Sequence, residues 1–352
     1  MKTVPPLIRK PCRIAIVGEC PGGNEIVDKR PFTGASGQLL AKLCTEAGID
    51  WNAVTLTYIF LERPRDNDAK NFFIKPKAFK SLGHDPKSTR RHPTHGYLDP
   101  AHQPALSRVL EELDDCGAEV VVAAGGIAFW ALGFDHKISA HRGVLHNLTL
   151  PSGRVATVVG TYHPAMVMRE WSYRPIVVAD LRKAATGKSD ERRPRTVRIP
   201  QTLGELKSLL TKHADAEFVA YDIETESGQI THISLAPSAT EVLVIPIWDR
   251  SKAQNSYWSL VDEMDVWRLL WKFFNRKRRW LTQNGSYDMT YLRDLFIKPN
   301  GTWEDTMLLH HAVFCEQPKS LGFMGSLYAQ NETAWKELRV KKQKGKDIKS
   351  DE

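Results

Sequence analysis

Short, nearly continuous apolar runs recur through the first half of the chain, at residues 13–17, 54–60, 120–124 and 155–159. Each is compact and rich in β-branched residues, which predicts strands buried on both faces. Between them, residues 37–47 and 103–113 repeat their apolar positions at helical spacing. Alternating strand and helix predicts a parallel sheet with helices on both faces. Ligands in such sheets sit beyond the carboxyl ends of the strands, so the residues that follow each run matter most.

Two stretches break this pattern. Residues 65–100 are rich in Lys, Pro, Asp and His, with Phe72, Phe73 and Phe79 interleaved. They read as a long insertion or a partly ordered loop. Residues 187–200 are charged, hold two prolines and have almost nothing to bury, so they read as a linker. Beyond it, strands are expected at 217–223, 230–235 and 241–245 as an antiparallel meander, with another near 280–282. Helical patterns follow at 262–275, 286–295, 305–314 and 320–328. Strands first and helices later is an α+β arrangement. The expected organisation is a domain over 1–186, a linker over 187–200 and a second domain over 201–352.

Composition narrows the class. A chain of 352 residues favours two domains over one. No run approaches the roughly 20 apolar residues of a membrane helix, and no signal peptide is evident at the start. Five cysteines lie far apart and form no close pair, which suits reduced thiols in a cytoplasm. The net charge of +8 points weakly to an acidic polymer as partner, since basic runs are also ordinary solvated faces.

Candidate chemistry gathers after the strands. The first run leads into Gly18-Glu19-Cys20-Pro21-Gly22-Gly23-Asn24-Glu25, which places two carboxylates, Glu19 and Glu25, beyond a strand end. Glycines there permit a tight turn and close approach of a ligand. The bland reading is a plain strand-to-helix turn. Phe32 sits in a loop before a helix; it is either core or a flat face for a base. The last run ends in Thr161-Tyr162-His163-Pro164. His163 is well placed for chemistry, or is simply a histidine satisfied by hydrogen bonds.

In order, GECPG, Glu25, RPFTGASGQLL, ERP, VVVAAGGIAFWALG, HRG and TYHPAMVMRE resemble the uracil-DNA glycosylase superfamily, nearest its family 4, over about residues 12–183. The resemblance implies an α/β/α sandwich that excises uracil. Glu25 would be the catalytic acid residue that orients water or stabilises a cationic sugar, with Glu19 in the same loop. Phe32 would stack on the extruded base beside Gly18. His163 would stabilise charge growing on the leaving base. Two departures stand out. The cysteine spacing lacks the family's ligand pattern, with Glu62 in one ligand's place, so no iron–sulfur cluster is expected. Thr57-Tyr58 stands where the family has Thr-Asn to read uracil, and Asn67 is the candidate substitute.

In the second half, Asp222 and Glu224 lie two apart on an expected strand, so both carboxylates face the same side. They are either a solvated face or part of a divalent-metal site. With Asp288 after "WLTQNGSY" and with "WEDTMLLHHAVF", the order resembles the 3′→5′ exonuclease domain of family A DNA polymerases, over about 217–337. That implies an RNase H-like α+β domain in which Asp222, Glu224 and Asp288 bind Mg²⁺ or Mn²⁺. Gln283 and Asn284 would lie near the 3′-terminal nucleotide, and Asp305 caps a helix. The family's fourth carboxylate, in a Tyr-x-x-x-Asp helix, has no counterpart, because Gln343 stands four residues before Asp347. The chain therefore reads as a truncated module, and the stretch REWSYRPIVVADLRKA also resembles phage proteins that carry such a domain ahead of a family A DNA polymerase. DNA, single-stranded or at a primer 3′ end, is the expected partner. The alternative is a non-catalytic DNA-binding accessory of a separate polymerase chain.

Overall fold

The computed structural model describes residues 3–187, 194–252 and 254–329. They divide into two compact units, one of residues 3–187 with 322–329, the other of residues 194–321. Among the described residues, no helix is long and apolar enough to cross a membrane.

The strands of the first unit are β1 (Ile14–Gly18), β2 (Thr55–Tyr58), β3 (Phe73–Ile74), β4 (Arg91–His92), β5 (Gly96–Leu98), β6 (Val120–Ala124), β7 (Leu145–Thr149) and β8 (Val155–Thr161). A central sheet runs in the order β2-β1-β6-β8-β7. β2, β1, β6 and β8 are parallel, and β7 is antiparallel at the edge. Every residue of β1, β2 and β6 is buried, as continuous apolar runs require. Alternation along β1 sends Ala15 and Val17 to one face, where Leu106, Val109 and Leu113 of helix Pro104–Asp115 cover them. Ile14 and Ile16 face the other way, under Leu40 and Leu43 of helix Ala35–Glu46 and Val177 and Leu181 of helix Arg174–Thr186. The result is the expected α/β/α sandwich.

Residues 65–100 carry more structure than their composition suggested. β3, β5 and β4 make a small antiparallel sheet, beside a short helix, Pro76–Ser81. Strands of two or three residues are too short to show a period. Aromatic contacts hold them instead. Phe72 stacks on Phe60 with ring centroids 4.0 Å apart, and Phe79 stacks on Tyr97 at 4.5 Å. Phe73 meets Trp130 edge-on at 5.4 Å.

Arg142 and Asp180 form an ion pair that is fully buried. Asp180 also accepts a hydrogen bond from Thr161 Oγ1 at 2.9 Å, and Arg142 donates to Ser326 Oγ at 3.0 Å. Burial pushes the Asp180 carboxyl up to about 6, against the pull of Arg142. Ser326 lies on helix Leu321–Tyr328, a pattern the sequence placed in the second half; its residues from 322 onward group with the first unit.

In the second unit the strands are β9 (Thr196–Arg198), β10 (Phe218–Glu226), β11 (Gln229–Ala236), β12 (Glu241–Pro246), β13 (Arg278–Thr282) and β14 (Gly301–Asp305). The sheet order is β14-β13-β10-β11-β12-β9. β10, β11 and β12 form the expected antiparallel meander, and β13 and β14 add in parallel to β10. The meander thus extends into one mixed sheet, as the expected α+β arrangement requires. β9 pairs with the edge of β12, so the charged stretch read as a linker includes an edge strand. Val219, Tyr221 and Ile223 face a core closed by Val266, Leu270 and Phe274 of helix Leu260–Phe274.

Replacing Asp180 by alanine leaves Arg142 buried and unpaired. The expected loss is about 3–5 kcal/mol, typical of a broken buried pair. Urea unfolding of the full chain reads it, and a loss below about 1 kcal/mol would contradict the pairing.

Candidate functional site

The carboxyl end of β1 organises the first site. Gly18 is paired in register with Tyr58 at the end of β2. A side chain at position 18 would come within 2.8 Å of both Phe32 Cζ and the Tyr58 ring, so glycine is needed for close approach. Phe32 adopts φ 58°, a conformation uncommon for a bulky residue. Its N–H donates to Tyr58 Oη at 2.9 Å, and the two rings stack with centroids 4.7 Å apart. Phe32 is 6% exposed and Tyr58 3%. The flat face expected for a base is thus covered by a phenol ring.

Glu25 is buried in the first turn of helix Gly23–Asp28. Its Oε2 accepts from Gly22 N–H at 3.1 Å and its Oε1 from Gly34 N–H at 2.9 Å. The carboxylate therefore ties the loop after β1 to the loop that precedes helix Ala35–Glu46.

Glu19 and His163 meet at a separate cavity of about 450 Å³, with Gly125, Tyr162 and Arg169 also in its wall. Burial pushes the Glu19 carboxyl up to about 7, against a hydrogen bond from the Ile127 backbone, with the charge of Asp68 adding to the rise. Gly125, at φ 107°, leaves room for Glu19, since a Cβ there would lie 2.6 Å from its Oε1. His163 caps helix Pro164–Arg169, and its Nδ1 accepts from Ala165 N–H at 3.2 Å. Burial holds the imidazole down to about 4, helped by the charge of Arg169 and opposed by that of Glu25. At neutral pH the ring is uncharged. With Nδ1 accepting, its proton sits on Nε2.

Asn67 lines a neighbouring cavity of about 610 Å³ with Glu19, Lys70, His95, His136 and Lys137. Its Oδ1 accepts from Arg63 Nε at 3.4 Å, and neither Phe32 nor Gly18 lines this space.

In the second unit, Asp222 and Glu224 are exposed on one side of β10, while Tyr221 and Ile223 are buried on the other. Asp288, in the first turn of helix Ser286–Asp294, accepts from Ile223 N–H at 2.8 Å, between the two acids along the strand. Burial raises Asp288 to about 6 despite that bond, and the charge of Asp222 raises it further. Two carboxylates on β10 and one on the helix beside it are hard oxygen donors that suit a divalent cation in kind. They do not close into a ligand cage: among the described residues, no three His, Cys, Asp or Glu side chains stand placed to hold one ion. Gln283 spends its side chain on Lys319 O and Thr306 Oγ1. Asn284 takes φ 58°, and its N–H donates to Asp305 Oδ1 at 3.1 Å. Asp305 is the expected helix cap, accepting from Met307 N–H at 2.8 Å. Position 343 and Asp347, where a fourth carboxylate was sought, lie outside the described residues.

Comparison with known proteins gives these sites their context. The Uracil DNA glycosylase superfamily matches residues 5–183, and a 3′-5′ exonuclease family matches residues 197–352. The chain belongs to the uracil-DNA glycosylase superfamily. A Type-4 uracil-DNA glycosylase of Thermotoga maritima is 30% identical over 176 residues, 49% of this chain and 76% of that protein. One from Sulfurisphaera tokodaii is 26% identical over 171 residues, 48% of this chain and 67% of that protein. Among solved structures, the EXO domain of Aedes aegypti Nibbler is 17% identical with a TM-score of 0.30, covering 46% of this chain and 79% of that one.

Of the residues singled out in the glycosylase domain, Glu19 and His163 share a cavity, and Phe32 and Gly18 share a stack with Tyr58. Glu25 braces the loop after β1 against the loop before helix Ala35–Glu46. Sequence reasoning missed Gly125 and Arg169 as parts of the wall. The glycine pair directly after β6 was the available signal for the first; nothing marked the second.

The Glu19 shift has a stability consequence. An acid with a raised native pKa keeps its proton while the unfolded chain loses its own, so stability falls as pH rises from about 4.3 through 7. Glu19→Gln removes that penalty. It should stabilise the chain by up to about 3 kcal/mol at pH 8 and by almost nothing at pH 4. Melting temperatures across that range measure it; an equal effect at both ends would refute the shift.

Proposed function

We propose that the first domain excises uracil from DNA by hydrolysing the N-glycosidic bond. The observation that carries this reading is that an acid, Glu19, and a neutral histidine, His163, line one cavity. As the bond breaks, positive charge develops on the sugar and negative charge on the base. Glu19, ionised above about pH 7, supplies the negative partner. His163 offers an Nε2–H donor to the oxygen of the leaving base and does so without first losing a proton. Glu25, with both oxygens already holding backbone N–H groups, orients water through its remaining lone pairs and keeps the loop in place. Phe32 would be the stacking face for the extruded base only where the base displaces the Tyr58 ring that covers it, in the space that Gly18 leaves. Extrusion costs unpairing energy, which single-stranded or mismatched DNA lowers.

The second domain serves as a 3′→5′ exonuclease module of the kind that family A polymerases carry. Asp222, Glu224 and Asp288 would hold Mg²⁺ or Mn²⁺. When bound, the cation supplies activated water and charge stabilisation for phosphodiester hydrolysis. Gln283 and Asn284 would lie near the 3′-terminal nucleotide; the backbone of Asn284 is held at φ 58° on Asp305, just before the helix that bears Asp288. The setting that fits both domains is DNA repair or replication in a cytoplasm, in a phage-infected host, with a polymerase chain acting in trans. A second reading, a non-catalytic DNA-binding accessory, is favoured by Tyr58 covering Phe32 and by the open arrangement of the three acids.

The full chain should release uracil from a single-stranded uracil oligonucleotide, leaving sites that break in alkali. His163→Ala should slow this by about 10²–10³-fold, the usual effect of losing one charge-stabilising donor. Cleavage no greater than in the His163→Ala chain would sink the first proposal.

For the second domain, release of the 3′ nucleotide should require Mg²⁺ or Mn²⁺ and vanish in Asp222→Ala. Equal rates with a chelator present would rule out metal-dependent hydrolysis.

A further inference from the structure

We propose that Tyr58 is a specificity-determining side chain that fills the base slot of the glycosylase domain with an aromatic ring of the chain's own. The inference rests on the reading of Phe32 as the stacking face. A base in that slot would present a flat ring parallel to Phe32 and a polar atom to the nearby backbone. Tyr58 presents both. Its ring lies 4.7 Å from that of Phe32 with planes 27° apart. Its Oη accepts the Phe32 N–H at 2.9 Å, the donor an incoming carbonyl oxygen would use.

Three further observations fix the ring there. Gly18, directly across from Tyr58 in the β1–β2 register, leaves the space that both rings occupy. Trp51 closes on Phe32 edge-on at 6.2 Å. Tyr58 itself is almost fully buried, and burial raises its hydroxyl so that it stays protonated. The phenol therefore remains neutral across the working pH range, and no charge pushes it out. Neither the 450 Å³ nor the 610 Å³ cavity reaches Phe32. The open space beside Glu19 and His163 stops short of the stacking face.

The ligand this slot would take is a planar pyrimidine with a carbonyl oxygen and an N–H on one edge. Shortening residue 58 empties the slot. An asparagine there also returns a donor and an acceptor to meet that edge, because its amide carries both. A valine empties the slot without reading the edge, and its β-branched side chain suits a buried strand. A phenylalanine keeps the ring and loses only the hydroxyl.

The test uses the full chain as wild type, Tyr58→Asn, Tyr58→Val and Tyr58→Phe. Free uracil binding is read by calorimetry, and excision is read on a single-stranded uracil oligonucleotide. Tyr58→Asn should bind uracil at least tenfold more tightly than wild type, Tyr58→Val should gain less, and Tyr58→Phe, which keeps the ring in the slot, should gain least of the three. Excision should rise at least tenfold in Tyr58→Asn. If Tyr58→Asn does not fold, the Val and Phe chains decide between an open and a filled slot. Wild type binding uracil as tightly as the Asn and Val chains would overturn the proposal. Tighter binding without excision in any chain would remove the glycosylase reaction and leave the slot assignment standing. Excision that depends on His163 but does not change in Tyr58→Asn or Tyr58→Val would do the reverse.

Discussion

The first domain is arranged around one buried carboxylate. Glu25 sits at 5% exposure with an acceptor on each oxygen to satisfy, and the groups that satisfy them are the backbone N–H donors of Gly22 and Gly34. An unpaired buried acid is costly, so the two loops must close on it. Both donors belong to glycines for a steric reason: a Cβ at either position would lie 2.9 Å from a Glu25 oxygen. Phe32 lies in the second of these loops. Closing the loop on Glu25 helps hold its backbone at positive φ, and the hydrogen bond to Tyr58 completes the restraint.

Environment, more than residue type, separates the acids of this chain. Glu19 and Glu25 come from the same glycine-rich turn. Glu25 is held by two backbone donors; Glu19 lines a cavity, and burial, with the charge of Asp68 adding to it, keeps its proton on to about pH 7. The exonuclease domain shows the same division. Asp222 and Glu224 stand out from β10, while Asp288 is drawn down onto Ile223 N–H and held up by burial and by the charge of Asp222.

Much of this was legible in the sequence, and what was not has physical causes. The buried parallel strands announce themselves because both faces are apolar. The two-residue phase of Asp222 and Glu224 gives their common side directly, and Asp305 reads as a cap because aspartate before a helical pattern can accept its first N–H groups. The small sheet at 65–100 was hidden because its strands are too short for a period, and β14 because Gly301–Asp305 is half-exposed and polar. Stacking of Tyr58 on Phe32 depends on the register of β2 against β1, which no local pattern reveals. The side-chain bonds of Gln283 to Lys319 and Thr306 join residues far apart in the chain, which no local pattern marks. The tautomer of His163 follows from one backbone N–H two residues on, visible only once the helix turn exists.

The central claim is that the Glu25 carboxylate holds the loop after β1 and the loop before helix Ala35–Glu46 together. Amide hydrogen exchange at Gly22 and Gly34 tests it most directly, in the wild-type chain and in Glu25→Ala. Slow exchange at both amides in wild type, with both accelerated together by at least tenfold in the variant while the β1 and β6 amides stay protected, is the result this account predicts. Unchanged protection at Gly22 and Gly34 in Glu25→Ala would contradict it, because some other group would then be holding the loops.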